Sequence, residues 1–285
     1  MAQRLYLLLQ HLLPHHLLTA LARALTRIRW RPLKNWQIRA FARRFDIDLA
    51  QAESAEPDHY PTFDAFFTRA LKPGARTPDP DPASVLMPAD GRISAAGRIQ
   101  AGHLFQAKGR DYSLATLLGD EARAADFADG DFATVYLQPR NYHRVHMPWH
   151  GRLRQTLYIP GRLYSVAPVT VQGVDRLFAR NERLVCHFDT DFGPMAVILV
   201  GAMLVAGVET VWQPGSVQRA GRQPEAIDYR AQTIELDRFA EMGRFHMGST
   251  AIVLFPPGRV ALDHFETGQE VAMGQRLGWR LPPTA

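Results

Sequence analysis

Four residues late in the 285-residue chain, Met247-Gly248-Ser249-Thr250, can do chemistry on the backbone that carries them. Ser249 directly follows a glycine and opens the apolar run Ala251-Ile252-Val253-Leu254-Phe255. Glycine has no Cβ, so its carbonyl can be approached from either face and its backbone can take strained angles. A hydroxyl beside that carbonyl can add to it and shift the acyl group from nitrogen to oxygen. Elimination from the resulting ester would cut the chain between Gly248 and Ser249 and leave a pyruvoyl group at the new amino terminus. A ketone there forms imines with amines and acts as an electron sink. Gly-Ser is also a common turn dipeptide, so this reading needs a base and an orienting acid elsewhere.

Two upstream segments supply them. Met87-Pro88-Ala89-Asp90-Gly91-Arg92-Ile93 places a carboxylate in a turn before a short apolar strand. Leu137-Gln138-Pro139-Arg140-Asn141-Tyr142-His143-Arg144-Val145-His146-Met147-Pro148 holds two histidines three residues apart. With Ser249 these make the carboxylate, imidazole and hydroxyl set that activates a weak nucleophile. Asp90, His146 and Ser249 also follow the chain order of one known serine-hydrolase triad. Against that alternative, Ser249 lacks the Gly-x-Ser-x-Gly elbow, and a hydrolase would remain one polypeptide. His143, His146 and His150 are ligand-type side chains, but no zinc-motif spacing accompanies them, so no metal site is expected.

Taken together, these segments resemble phosphatidylserine decarboxylases of the bacterial, membrane-associated, pyruvoyl-dependent type. The family's Gly-Ser-Thr processing site, Pro-x-Asp-Gly turn and Tyr-His-Arg-x-His segment all occur here in the same order. The resemblance also runs through Phe63-Asp64-Ala65-Phe66-Phe67-Thr68-Arg69, Leu177-Phe178-Ala179-Arg180-Asn181-Glu182-Arg183 and Val208-Glu209-Thr210-Val211-Trp212. Met247 stands where the family usually has leucine, a swap close in volume. The resemblance implies that Asp90 orients His146 and that His146 deprotonates Ser249 for cleavage between Gly248 and Ser249. The products would be a β chain of residues 1–248 and an α chain of 249–285. Ser249 would become the covalent pyruvoyl cofactor, and His143 would serve the decarboxylation of phosphatidylserine to phosphatidylethanolamine through a Schiff base. A homodimer of such cleaved pairs would also resemble the family.

Strands and helices must bring these residues together. No acidic residue precedes Asp46, whereas Arg4, Arg23, Arg27, Arg29, Arg31, Lys34, Arg39, Arg43 and Arg44 do. The chain's net charge is only +5, so the rest of it is net negative and the basicity belongs to an arm. Leu5, Leu8, Leu9 and Leu12 recur at helical spacing up to Pro14, and Leu17, Leu18, Leu21, Leu25 and Ile28 continue it. Basic amphipathic helices followed by Trp30 and Trp36 read as lying in an anionic membrane surface; a hairpin covering the enzyme's own core is the competing reading. Without an aromatic platform on strands, nucleic acid is not expected as a partner, although a non-enzymatic basic membrane-binding protein would share the arm.

The longest apolar run, Ala196 to Val208, is too short for the roughly 20 residues of a membrane span and reads as a buried strand with a bend. The lone Cys186 fits a reducing compartment and a core position. A peripheral protein on the cytoplasmic side of the cell membrane is therefore expected. Residues 1–72 read as the membrane-docking region, 73–84 as a Pro/Asp-rich linker and 85–285 as the catalytic domain. The fold class is α+β, a mostly antiparallel, barrel-like sheet body with an N-terminal helical arm, and one helix near Ser113 to Leu118 interrupts the strands.

Overall fold

The apolar run after Ser249 becomes the strand Ser249–Phe255, every residue of which is buried. A computed structural model describes residues 2–204, 207–215 and 223–282, without the side chains of Ala2 and Arg4. In it this strand pairs antiparallel with Gly193–Val200 on one side and Asp131–Leu137 on the other. Side chains alternate across a strand, so Ala251, Val253 and Phe255 enter one core with Val135 and Val197. Ile252 and Leu254 enter a second core with Phe132, Ile198 and the helical residues Leu117 and Phe178. Burial on both faces explains why the run shows no polar alternation.

Among the described residues the main sheet has nine strands, all antiparallel, with order Glu225–Asp228, Gly151–Ile159, Arg183–Thr190, Gly193–Val200, Ser249–Phe255, Asp131–Leu137, Gly91–Arg98 and Glu270–Val271; Glu235–Leu236 also pairs with Gly151–Ile159. The barrel-like expectation is corrected here. Closure needs the two edges to hydrogen-bond to each other. The outer strands, four and two residues long, do not pair with each other, and the sheet stays open. Two three-stranded sheets contribute to the first core through Val85, Leu277, Val145 and Phe245.

The helix expected near Ser113 is Leu114–Leu118, capped by the Ser113 hydroxyl accepting from the Thr116 amide at 3.1 Å. Three more short helices, Glu121–Ala125, Pro168–Gly173 and Leu177–Arg180, occur where the sequence suggested only strands. The run from Ala196 breaks at Gly201 and resumes as Val208–Thr210; Val205 and Ala206 lie outside the described residues. Cys186 is a fully buried free thiol.

The N-terminal region contains α1 (Ala2–Leu12), α2 (His15–Thr26), α3 (Arg31–Phe45) and α4 (Phe63–Phe67). Pro14 caps α2, as its lack of an amide hydrogen favours. No helix among the described residues is long and apolar enough to cross a membrane. α1 and α2 turn polar groups inward: the Ser165 amide donates to Gln10 Oε1 at 2.9 Å, and the Leu204 amide donates to the Thr19 hydroxyl at 3.2 Å. Leu5, Leu8, Leu12, Leu17, Leu21 and Leu25 are instead exposed. α3 and α4 pack conventionally, joining Ile38, Ala42, Phe63, Phe66 and Phe67 in a third cluster on which Met247 rests. Lys34, though one of the arm's cations, is buried and donates to the Pro57 carbonyl at 3.0 Å.

Candidate active site

Strand register brings the three motifs to one end of the main sheet. Ser249 lies opposite Leu137, and Arg92 lies opposite Tyr136 on the other side of the same strand. The Asp90 turn, the exit to the histidine segment and the Gly248–Ser249 junction therefore sit side by side. Gly91 is required for this approach, since a Cβ there would lie 2.4 Å from the Tyr136 carbonyl oxygen. Beyond Leu137 the chain turns on Asn141, whose side chain accepts from the Gln138 amide at 2.8 Å. The His146 amide then donates to the Pro88 carbonyl at 2.8 Å, and the Phe245 amide donates to the His143 carbonyl at 2.9 Å. One histidine is thus stitched to the Asp90 turn, and the other to the strand that leads into Ser249.

His143 is completely buried against Phe67, with ring centroids 4.0 Å apart and the rings tilted by 45°. Its Nδ1 lies 2.8 Å from the Asn141 carbonyl, which can only accept, so Nδ1 carries the hydrogen and Nε2 holds a free lone pair with no partner. Burial drives its pKa down to about 3, keeping the ring neutral near pH 7. The same logic places the His146 hydrogen on Nδ1, 2.7 Å from the Phe239 carbonyl, while Nε2 accepts from the Tyr142 hydroxyl at 3.1 Å. Burial lowers the His146 pKa as well.

Asp90 is not hydrogen-bonded to His146. Its two oxygens receive the Arg76 guanidinium at 2.9 and 2.6 Å, and Oδ1 also accepts from the Met273 amide at 2.9 Å. Ser249 is fully buried and its Oγ has no partner among the described residues. The structure brings Asp90, His143, His146 and Ser249 to one end of the sheet without linking them into one hydrogen-bonded chain. His150 lies apart, near Asp191 at 3.7 Å.

The sequence reading missed what flanks the junction. His246 Nδ1 meets the Asp64 carboxylate at 2.9 Å, and its Nε2 meets Glu209 at 2.9 Å. These partners come from α4 and from Val208–Thr210, 182 and 37 positions away, and no local spacing announces them. The left-handed backbone falls on Met247, at φ 88°, and not on Gly248. For a non-glycine residue that angle costs of order 1–3 kcal/mol, held here one residue before Gly248 by the His246 clamp and the third cluster. A Cβ at Gly248 would meet nothing within 4 Å, so there is open space beside its Cα.

Fold and site together define a class, an α+β enzyme whose candidate nucleophile lies inside its own core at a strained junction. The sequence profile of phosphatidylserine decarboxylase matches residues 63–279, and a second profile, described as PSD, matches residues 5–46. The chain is 58% identical over 273 residues to the phosphatidylserine decarboxylase proenzyme of Xanthomonas euvesicatoria pv. vesicatoria, covering 95% of this chain and 98% of that one. It is 57% identical over 273 residues to that of Xanthomonas axonopodis pv. citri, with the same coverage. It is 55% identical over 271 residues to that of Stenotrophomonas maltophilia, covering 94% of this chain and 96% of the relative. This chain belongs to the phosphatidylserine decarboxylase family.

Proposed function

We propose that this chain is a proenzyme that cuts itself between Gly248 and Ser249 and then converts phosphatidylserine to phosphatidylethanolamine. One observation carries the reading: among the described residues Ser249 Oγ is a buried hydroxyl without any hydrogen bond, at the head of the central strand and next to Gly248, where a Cβ would meet nothing within 4 Å. Buried polar atoms normally find partners, and an orphan at a motif position marks a functional site. That hydroxyl fits the origin of a pyruvoyl group, since only a serine or a cysteine beside the scissile bond can eliminate to a dehydroalanine, whose imine tautomer water converts to the ketone with release of ammonia. Once formed, the pyruvoyl group supplies a ketone that condenses with an amine and takes up the electrons released with carbon dioxide.

The chain's own residues do the proton work. His146 receives the Ser249 proton for self-cleavage, and the Phe239 carbonyl on Nδ1, then the Glu241 carboxylate and last Asp90, favour the imidazolium that results. His143 serves the second reaction. Its free Nε2 lone pair, kept neutral by burial, can accept a hydrogen bond from the substrate amine and aim it at the ketone.

The outward leucines of α1 and α2, Trp30 and Trp36, and the exposed Arg27, Arg29, Arg31, Arg39, Arg43 and Arg44 support docking on an anionic membrane surface from the cytoplasmic side. A pair of such molecules as a homodimer belongs to the same proposal. A mass spectrum of fresh protein tests the core of it. The expected result is two chains, 1–248 and a 249–285 fragment whose first residue carries a ketone in place of an amine. A lasting single chain that decarboxylates phosphatidylserine, or a free serine at position 249, would overturn it.

A further inference from the structure

A cavity of about 450 Å³ opens beside the candidate active site, between the loop after α3, the Asp90 turn and the Arg140–Tyr142 turn. Its wall includes Asn141, whose carbonyl orients His143, and Tyr142, whose hydroxyl bonds His146. The volume lies in the usual range for small-molecule sites. Three arginines line it, and their states differ. Arg76 is forked onto Asp90 and Arg140 is paired with Glu270, so each has a carboxylate. Among the described residues Arg69 has none. It is only 4% exposed, its Nη2 donates to the Arg140 carbonyl at 3.2 Å, and its Nε and Nη1 have no partner there. The Phe66 ring lies beneath the guanidinium, 5.2 Å away. Of the acidic groups on the wall, Asp90 and Glu270 are taken by arginines, Asp48 accepts from the Ala50 amide and Gln51, and Asp46 is exposed.

A buried guanidinium without an anion is costly, and its planar fork matches a bidentate oxyanion. We infer that Arg69 is the residue that holds the phosphodiester of the lipid headgroup, with this cavity as the headgroup pocket. The inference rests on the proposed decarboxylation and adds to it the group that fixes the substrate. The substrate carries two oxyanions, and the chemistry chooses between them. The carboxylate loses its charge on the way to carbon dioxide, so an arginine gripping it would stabilise the ground state more than the transition state and slow the reaction. The phosphodiester keeps its charge throughout. Binding it lowers KM and leaves kcat nearly alone.

The test uses processed enzyme and the variants R69Q and R69K, each checked for its two chains. With phosphatidylserine in mixed micelles, R69Q should raise KM about tenfold or more, the loss of one charge-assisted fork, with kcat changed much less. R69K, a point charge without the fork, should fall between R69Q and the wild type. sn-Glycerol 3-phosphate should inhibit the wild type competitively and lose potency about tenfold in R69Q, while free serine should inhibit both equally. An unchanged KM in R69Q would overturn the inference. So would loss of serine inhibition in place of glycerol phosphate inhibition, because that outcome assigns Arg69 to the carboxylate. If R69Q fails to process, R69K and the wild type decide: glycerol phosphate that neither inhibits the wild type nor raises its melting temperature refutes the pocket. A wild-type protein that processes but releases no carbon dioxide from phosphatidylserine would instead refute the proposed function.

Discussion

The body and the first two helices solve opposite problems with the same residue types. In the strand Ser249–Phe255 apolar side chains point into two cores, and the only unsatisfied polar atoms are the hydroxyls at its head, Ser249 and Thr250. In α1 and α2 the pattern is inverted, with Gln10, His15 and Thr19 buried and Leu5, Leu8, Leu9, Leu12, Leu17, Leu21 and Leu25 facing out, while Leu7 packs on the second core. Monomeric soluble surfaces seldom carry so many adjacent large apolar groups, and such patches mark an interaction face. Hydrophobic burial therefore stabilises the fold in one region and is held in reserve for another surface in the other. The cost is local too: the body keeps a left-handed Met247 and the buried, unpaired Arg69, both at the end of the sheet where the motifs meet.

The comparison breaks most visibly at Ser249. Ser249→Ala should leave one uncut chain with essentially no decarboxylation that still folds and melts cooperatively, because the deleted hydroxyl makes no hydrogen bond. Gel mobility and calorimetry check both halves. A variant that still cuts would remove Ser249 from the chemistry.

Next come the histidines. His146→Ala should slow or block cleavage, by about 10²–10⁴-fold if it is the base, and Asp90→Asn should act in the same direction. His143→Ala should still process and lose turnover on phosphatidylserine by a comparable factor. Identical uncut products from both histidine variants would erase the division of roles. Asp90→Asn also frees Arg76, so its folding should be followed by circular dichroism.

A smaller effect belongs to the arm. Replacing Leu5, Leu8, Leu12, Leu17, Leu21 and Leu25 with serine should cut activity on anionic vesicles about tenfold or more while sparing a short-chain, water-soluble substrate. Stability should move little, since these side chains are exposed. Substitution is a cleaner probe than deleting the first 45 residues, which would strip Ile38 and Ala42 from the cluster beneath Met247. Marked unfolding of the serine variant would mean that the leucines cover protein and not lipid.

The smallest effect is on pH. His143 and His187 are lowered by burial to about 3 and about 4, so between those values and 6.5 the unfolded chain binds more protons than the folded one. Their contribution is present above pH 6.5 and declines as pH falls, by about 1.4 kcal/mol per pH unit for each histidine well below 6.5. In urea titrations at pH 7 and pH 5, His187→Gln should flatten that decline; an unchanged slope would contradict the buried, neutral assignment.

Residue types in order singled out Asp90, His143, His146, Ser249 and the Gly248–Ser249 bond as candidates, because chemistry limits which side chains can act together, and strand register places them at one end of the sheet. They were enough too for the all-buried central strand, the Leu114–Leu118 helix and the basic, leucine-striped arm, since periodicity follows from backbone geometry. Periodicity does not say which way a face points. Only packing revealed that α1 and α2 turn most of their leucines outward and that α3 buries Lys34 against the Pro57 carbonyl. The open sheet, the Asp64–His246–Glu209 clamp and the Arg69 cavity depend on pairs separated by tens to hundreds of positions. The same holds for Asp90, which a local reading gives to His146 and the folded chain gives to Arg76. Partner choice among charges is settled by distance in space, and a linear sequence does not contain that distance.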